Sequence, residues 1–385
     1  MSPAFEDSRG RIMTFLLIVL GVWTLMHVYV VSRVWNLPAE PSAGWHVGLT
    51  VAAVALWLSF PLAQWLSRSA GRAALPLDVA ASTWVGVLFL LVVCLLAADL
   101  VTGFGWLMPG SWRPVRVLAV GAAGLLSVVA LAQGLRPPEV REHEVRVSGL
   151  RPEYDGLRIV QLSDLHVGPL LGARWVGQRL AEVEALRPDL VLVTGDLVDQ
   201  DGVLAQSLAP LFRNLRARLG VWGVLGNHEY YAGLDRSLRV FDASGITLLR
   251  DRAVEIVPGL VLAGVDDLSA RRQFGLGDHP VDQALEHRPA GATIFLSHSP
   301  WSVERAAELG VGLMLSGHTH AGQIWPFTYV VKLMYPYVAG RYDVNGMTLV
   351  VSRGTGFWGP PMRLFRPGEI TAITLRSRQT ALLEP

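Results

Sequence analysis

Four apolar runs come first along the chain, at 12–31, 47–66, 79–101 and 115–133, separated by short segments that carry Arg, Pro, Gly and Trp. Each is about as long as the ~20 residues a helix needs to cross a ~30 Å hydrocarbon layer. They predict a transmembrane region over 1–133. A cleaved signal peptide does not fit, because no small-residue cleavage site follows the first run and three more runs do. Trp35, Trp45, Trp65, Trp106 and Trp112 fall at or just outside run ends, where amphipathic rings anchor among headgroups. Of the polar residues in the runs, His27 reads as an interhelix hydrogen bond. Asp99, near a run end, reads as a residue within reach of water.

Orientation follows from the short flanks. Arg9, Arg11, Arg68, Arg72, Arg136 and Arg141 lie on the N-terminal side, and Arg33, Arg113 and Arg116 lie on the other. Six against three predicts that both ends are cytoplasmic, as in a bacterial-type inner-membrane protein with its remaining domain in the cytoplasm.

Past the fourth run the pattern changes. A polar, proline-stiffened linker is expected over 134–144, followed by a domain over 145–385. Short apolar runs at 157–162, 190–194, 221–225, 260–264, 292–296 and 312–315 read as buried strands. Between the first two, Val176, Leu180, Val183 and Leu186 recur at helical spacing, and Pro188 ends that helix. Asn345-Gly346 signals a hairpin turn. The alternation predicts a layered α/β domain.

Composition sharpens this picture. With 51% hydrophobic and 17% charged residues a disordered chain is excluded, and a net charge of +1 leaves no basic field, so nucleic acid is not an expected partner. The single cysteine, Cys94, excludes an internal disulfide and a cysteine-built zinc site. It reads as a small apolar filler.

The candidate chemistry lies just after the strands. Asp164-x-His166 follows the first, Gly195-Asp196 the second, Gly226-Asn227-His228-Glu229 the third, Ser297-His298 the fifth and Gly317-His318-Thr319-His320 the sixth. In an open α/β sheet these ends border the ligand crevice. Imidazole, carboxylate and amide donors without thiolate suit Mn, Fe, Zn or Mg in a hydrolytic site. Five of the ten histidines fall in these clusters. Taken singly, any of them reads equally well as a core histidine.

The ordered set Asp164-x-His166, Gly195-Asp196-x-x-Asp199, Gly226-Asn227-His228-Glu229, His298 and Gly317-His318-x-His320 resembles the calcineurin-like metallophosphoesterases, over about 140–375. The flanking residues 156–166 and 321–324 are similar to a bacterial membrane-associated branch of phosphodiesterases and phosphohydrolases. The four spans are not part of the shared domain. The resemblance implies an α/β fold, a four-layer β-sandwich flanked by helices, and two divalent metal ions. By motif position Asp164, His166, Asp196 and His320 would hold one, and Asp196, Asn227, His298 and His318 the other, with Asp196 shared. His228 would be the catalytic residue, facing the phosphate without binding metal. Glu229 would orient His228, and Asp199 would be structural or lie behind the ligands.

Two cations of this kind generate a hydroxide nucleophile near neutral pH and neutralise phosphoryl oxygens as the bond breaks. The expected function is therefore hydrolysis of a phosphodiester or pyrophosphate bond at the membrane, in a lipid-linked or nucleotide-linked substrate. A phosphohydrolase on a soluble substrate, with the spans only as anchor, and a non-catalytic membrane scaffold are the alternatives. An intact ligand set speaks against the scaffold. Specificity is expected in 230–236, 266–278 and 325–341. The last of these is aromatic and begins five residues after His320, which suits an acyl chain entering from the membrane. Arg353 and Arg363 are expected to neutralise a substrate headgroup.

Overall fold

A computed structural model describes residues 3–168, 170–199, 202–277 and 279–377, without the side chains of 3–12, 15, 16, 67–72 and 202–204. The side chains of Arg9, Arg11, Arg68 and Arg72, and the expected domain end at 378–385, thus lie outside the described residues. The chain divides into two units, Met1–Arg136 with Gly359–Phe365, and Pro137–Trp358 with Arg366–Pro385.

In the first unit the apolar runs form α1 (Pro3–Val34), α2 (Ala43–Ala70), α3 (Leu75–Thr102) and α4 (Trp112–Gly134). All four are long and apolar enough to cross a membrane. Their packing inverts that of a soluble bundle. Leu25, Leu100, Leu118 and Leu125 are 63–72% exposed, whereas Ala63, Ala81, Ala123 and Ala130 are fully buried. Small residues let helix backbones approach closely where lipid offers no hydrophobic drive between helices. The protein is accordingly a membrane protein.

His27 donates from Nδ1 to the Trp23 carbonyl at 2.9 Å and accepts at Nε2 from Trp84 Nε1 at 3.0 Å, joining α1 to α3. Asp99 departs from expectation. It is wholly buried. Its carboxylate accepts from Tyr29 Oη at 2.9 Å, from Arg33 Nε at 2.5 Å, and from Arg116 Nε and Nη2 at 3.0 and 2.7 Å. A carboxylate inside a membrane bundle needs such partners. They come from α1 and α4, which no local spacing along α3 could reveal.

The second unit's described residues hold β1 (Glu139–Val147), β2 (Arg158–Leu162), β3 (Leu190–Val193), β4 (Val221–Gly223), β5 (Thr247–Leu248), β6 (Arg252–Val257), β7 (Leu260–Gly264), β8 (Ala292–Leu296), β9 (Leu313–Ser316), β10 (Gly340–Val344), β11 (Met347–Val351) and β12 (Glu369–Ser377). They build two six-stranded sheets, in the orders β1-β12-β2-β3-β4-β5 and β10-β11-β9-β8-β7-β6. Residues 139–144, expected as linker, are the first part of β1, paired in parallel with β12. Their polarity belongs to an exposed edge strand, which charged side chains protect from further pairing.

Alternation inside the apolar runs decides the layers. Ile159, Leu190 and Leu192 meet Leu262, Ile294, Leu313 and Leu315 between the sheets. Their neighbours Val160, Val191 and Val193 point to the opposite face. The helices of this unit are α5 (Ala173–Ala185), α6 (Gly202–Phe212), α7 (Asn227–Tyr231), α8 (Leu234–Ser244), α9 (Leu268–Phe274), α10 (Pro280–Leu285), α11 (Val303–Glu308) and α12 (Phe327–Met334). Val176, Leu180 and Val183 of α5, Phe212 of α6 and Phe241 of α8 cover the first sheet. Val281 and Leu285 of α10 and Val303 and Ala306 of α11 cover the second. The result is a four-layer α/β sandwich. Asn345 and Gly346, both at positive φ, turn β10 into β11 as the hairpin signal requires.

The strand ends border the meeting of two sheets, not the crevice of one open sheet. Strands buried on both faces read as the same apolar run in either architecture, so only the tertiary fold separates them.

Candidate metal centre

Parallel order gives β2, β3 and β4 of one sheet, and β8 and β9 of the other, a common direction within each sheet. The loops that leave them carry the polar clusters to one place. Asp164 and His166 follow β2, Asp196 follows β3, Asn227 opens α7, His298 follows β8, and His318 and His320 follow β9.

Two groups of donor atoms result. His166 Nε2 lies 3.1 Å from His320 Nε2, and His320 Nε2 lies 3.3 Å from Asp164 Oδ1. In the second group His318 Nδ1 lies 2.8 Å from Asn227 Oδ1 and 3.2 Å from His298 Nε2. Asp196 Oδ2 stands between them, 3.8 Å from His166 Nε2 and 3.1 Å from His298 Nε2. Its other oxygen accepts the His228 backbone N–H at 2.9 Å.

The donor chemistry fits divalent cations. His298 donates from Nδ1 to the Thr194 carbonyl at 2.7 Å, and His318 Nε2 bonds Tyr335 Oη at 2.7 Å. In each ring the second nitrogen is thereby left to face the cluster, the arrangement that outer hydrogen bonds impose on metal-binding histidines. Nitrogen and oxygen atoms about 3 Å apart around carboxylates make a strongly electron-rich pocket with N/O donors alone.

Local backbone geometry makes this possible. Asp164, His166, Asp196, His318 and His320 all have φ between 45° and 70°, the left-handed region that residues with a Cβ rarely occupy. Such strain costs on the order of 1–3 kcal/mol per residue and gathers where a site needs it. Close approach is the second device. A Cβ at Gly226 would overlap the Asp196 carboxylate, and one at Gly317 would overlap Ser163 Oγ and the Asp164 carboxylate.

Burial and charge tune the ionisable groups. Burial pushes His166 down, helped by the charge of His228, to about 3. For Asp164 and Asp196 burial favours the neutral acid, but neighbouring histidines, His320 for the first and His298 for the second, hold both carboxyls below their ordinary value. Burial also opposes the charge of His228, yet Asp196, Asp199 and Glu229 raise it to about 9. Its Nδ1 stands 3.4 Å from Asp199 Oδ1.

The carboxylate beside His228 is therefore that of Asp199. Glu229, expected to orient His228, instead accepts the backbone N–H groups of Gly226, Asp196 and Val198 at 2.6, 3.0 and 3.0 Å. It ties the loop after β3 to the start of α7, and burial followed by the charge of Asp196 raises its pKa to about 7. Arg353 pairs with Glu369 at 3.5 Å. Arg363, expected to neutralise a substrate headgroup, is 2% exposed, and its backbone N–H donates to the Ala130 carbonyl of α4 at 2.9 Å.

Several neighbours escaped sequence reading. Ser163 Oγ donates to Asp164 at 2.5 Å, and Tyr335, stacked on Trp301, holds His318. Trp358 and Tyr231 place their rings 5.9 and 5.5 Å from the His228 ring. Tyr231 and Tyr335 carried a signal, their places in the stretches 230–236 and 325–341 where specificity is expected.

A four-layer α/β sandwich whose strand ends gather buried Asp, His and Asn at one place has the donor set of a metal-dependent hydrolase. Sequence comparison specifies the family. The profile of the calcineurin-like phosphoesterases matches residues 157–322. A metallophosphoesterase of Helicobacter pylori is 37% identical over 65% of this chain and 67% of its own length. One from Aquifex aeolicus is 36% identical over 59% of this chain and 88% of its own. A transmembrane protein with metallophosphoesterase domain from Danio rerio is 36% identical over 69% of this chain, and the match spans 64% of that relative's length. The chain belongs to the calcineurin-like phosphoesterase family.

Proposed function

We propose that this chain is a membrane-anchored phosphoesterase that uses two divalent cations to hydrolyse a phosphodiester or pyrophosphate bond. The observation that carries the reading is the position of Asp196 between two complete donor groups, Asp164, His166 and His320 on one side and Asn227, His298 and His318 on the other. When bound, the cations supply Lewis acidity toward the phosphoryl oxygens and an activated water. Asp164 and Asp196, kept ionised, offset cationic charge. His228, paired through Nδ1 with Asp199, can present a proton from Nε2 to the leaving oxygen. Trp358 and Tyr231, flanking His228, suit a base or a lipid chain beyond the phosphate.

A lipid-linked or nucleotide-linked phosphate is the preferred substrate, because the chain carries its own membrane helices and sets aromatic rings beside the site. A soluble phosphate ester is the second reading. The test is metal analysis of the purified full chain together with hydrolysis of a chromogenic phosphodiester. Two equivalents of metal are expected, chelation should abolish turnover, and Mn should restore it. Asp196→Asn should lose metal and slow turnover by more than the ~10–100-fold typical of outer-sphere changes. Full activity in chelator would refute the metal reading, and a single tightly bound ion in the active enzyme would refute the two-metal one. Equal turnover of acylated and deacylated forms of one headgroup would favour the soluble substrate.

A further inference from the structure

Helix α12 is inverted for the surface of a water-facing domain. Its polar Thr328 is buried and donates to the Ala321 carbonyl at 2.7 Å. Phe327, Tyr329, Val330, Leu333 and Met334 point outward, with Leu333 86% exposed. A surface helix ordinarily turns that stripe toward the core. The one charge on α12 is Lys332, the only lysine of the chain. Its long stem suits a side chain that lies along apolar surface and lifts its ammonium to a phosphate layer.

What holds the base of α12 identifies the occupant. Gln323 donates from Nε2 to the Trp358 carbonyl at 2.9 Å and accepts the Trp358 N–H at 3.0 Å. Arg366 Nε reaches Thr328 Oγ1 at 3.4 Å. Trp358 and Arg366 are the residues immediately before and after Gly359–Phe365, the segment that belongs to the membrane unit. In that unit the Arg363 N–H donates to the Ala130 carbonyl, and the Phe365 N–H donates to Gln133 Oε1 at 2.8 Å, both in the last turns of α4. Trp358 and Arg366, where the chain leaves and re-enters the second unit, are thus bonded just before α12, at Gln323, and in its first turn, at Thr328. A further link is the chain between Gly134, where α4 ends, and Glu139, where β1 begins. Chain connectivity keeps α12 within reach of a bilayer at all times, which no soluble partner or second copy can match.

We propose that α12 is an interfacial helix, seated in the headgroup–acyl boundary of the bilayer that its own chain spans. Phe327, Tyr329, Val330, Leu333 and Met334 enter the acyl side, while Trp325 and Lys332 stay at headgroup level. Tyr335, which closes the helix, hydrogen-bonds His318, so the seated helix ends one residue from the metal centre's own support. The inference does not depend on the substrate or on the number of metals.

The single cysteine makes the test clean. In a Cys94→Ser background, Leu333→Cys and, as control, Glu308→Cys on α11 are labelled with an environment-sensitive fluorophore. Glu308 is chosen because its side chain is 60% exposed. The full chain is reconstituted at one copy per lipid nanodisc, with and without lipids spin-labelled near the headgroup. The label at 333 should emit further to the blue and be quenched several-fold more than the label at 308. Unchanged thermal melting shows that the labelled chains are folded. Equal, water-like emission at the two sites overturns the proposal. Protection at 333 only when two copies share a disc assigns the helix to a second copy and overturns it equally.

Discussion

Tyr335 shows how a side chain remote in sequence enters the chemistry. It lies 17 residues beyond His318, yet its hydroxyl is 2.7 Å from His318 Nε2 and its ring stacks on Trp301. Imidazoles that bind metal are generally oriented through their other nitrogen, and loss of such a partner typically costs about 10–100-fold in metal affinity. Tyr335→Phe keeps the ring and removes only the hydroxyl. We expect it to weaken metal binding within that range, read by competition with a chromophoric chelator, at unchanged thermal melting of the metal-free protein. Unchanged affinity would reduce Tyr335 to a packing residue. The ligand types themselves were readable in the sequence, because Asp, His and Asn directly after apolar strands have few other reasons to cluster. The partners of Glu229 and Asp199 were not readable, since both are carboxylates of the motifs and only the turn of α7 decides which of them faces His228.

At the scale of elements, the short strands and their sharp exits do the positioning. The turn after β9 brings Gly317 against Ser163 and Asp164, so a methyl group there has no room, whereas Gly177 in α5 has open space around its Cα. The same substitution should therefore act in opposite directions. Gly317→Ala is expected to destabilise by about 1–3 kcal/mol as overpacking does, and to lower metal content. Gly177→Ala should stabilise by roughly 0.5–1 kcal/mol, since alanine loses less backbone freedom in a helix interior. Denaturant melts of the two variants against the parent decide it, and equal effects would contradict the crowding seen at Gly317. Strands buried on both faces, such as β3 and β8, were legible as apolar runs. Strand β1 was not, because its charged residues at 139–144 follow an edge position and read as a linker.

For the whole molecule, the Asp99 cluster leaves the arginine count as it stands. Arg33 and Arg116, two of the three arginines assigned to the outer side, already share a buried counter-ion in Asp99. Acidic partners contribute little to the positive-inside bias, so the count of arginines remains the basis of the proposed orientation. Reporter fusions after residue 72 and at the C-terminus should both read cytoplasmic. A periplasmic signal from the C-terminal fusion would reverse the proposed orientation.

The sequence by itself determined the membrane region, the α/β character of the remainder and the set of candidate ligands. Each of these is written in local periodicity, run length and residue type. Tertiary structure alone decided that two sheets rather than one carry the ligand loops, that Asp99 is held by Arg33 and Arg116, and that Arg363 is buried. It alone turned the apolar face of α12 outward and brought Tyr335 to His318. These are contacts between residues far apart in the chain, and a linear pattern records how apolar a position is without recording which surface it meets.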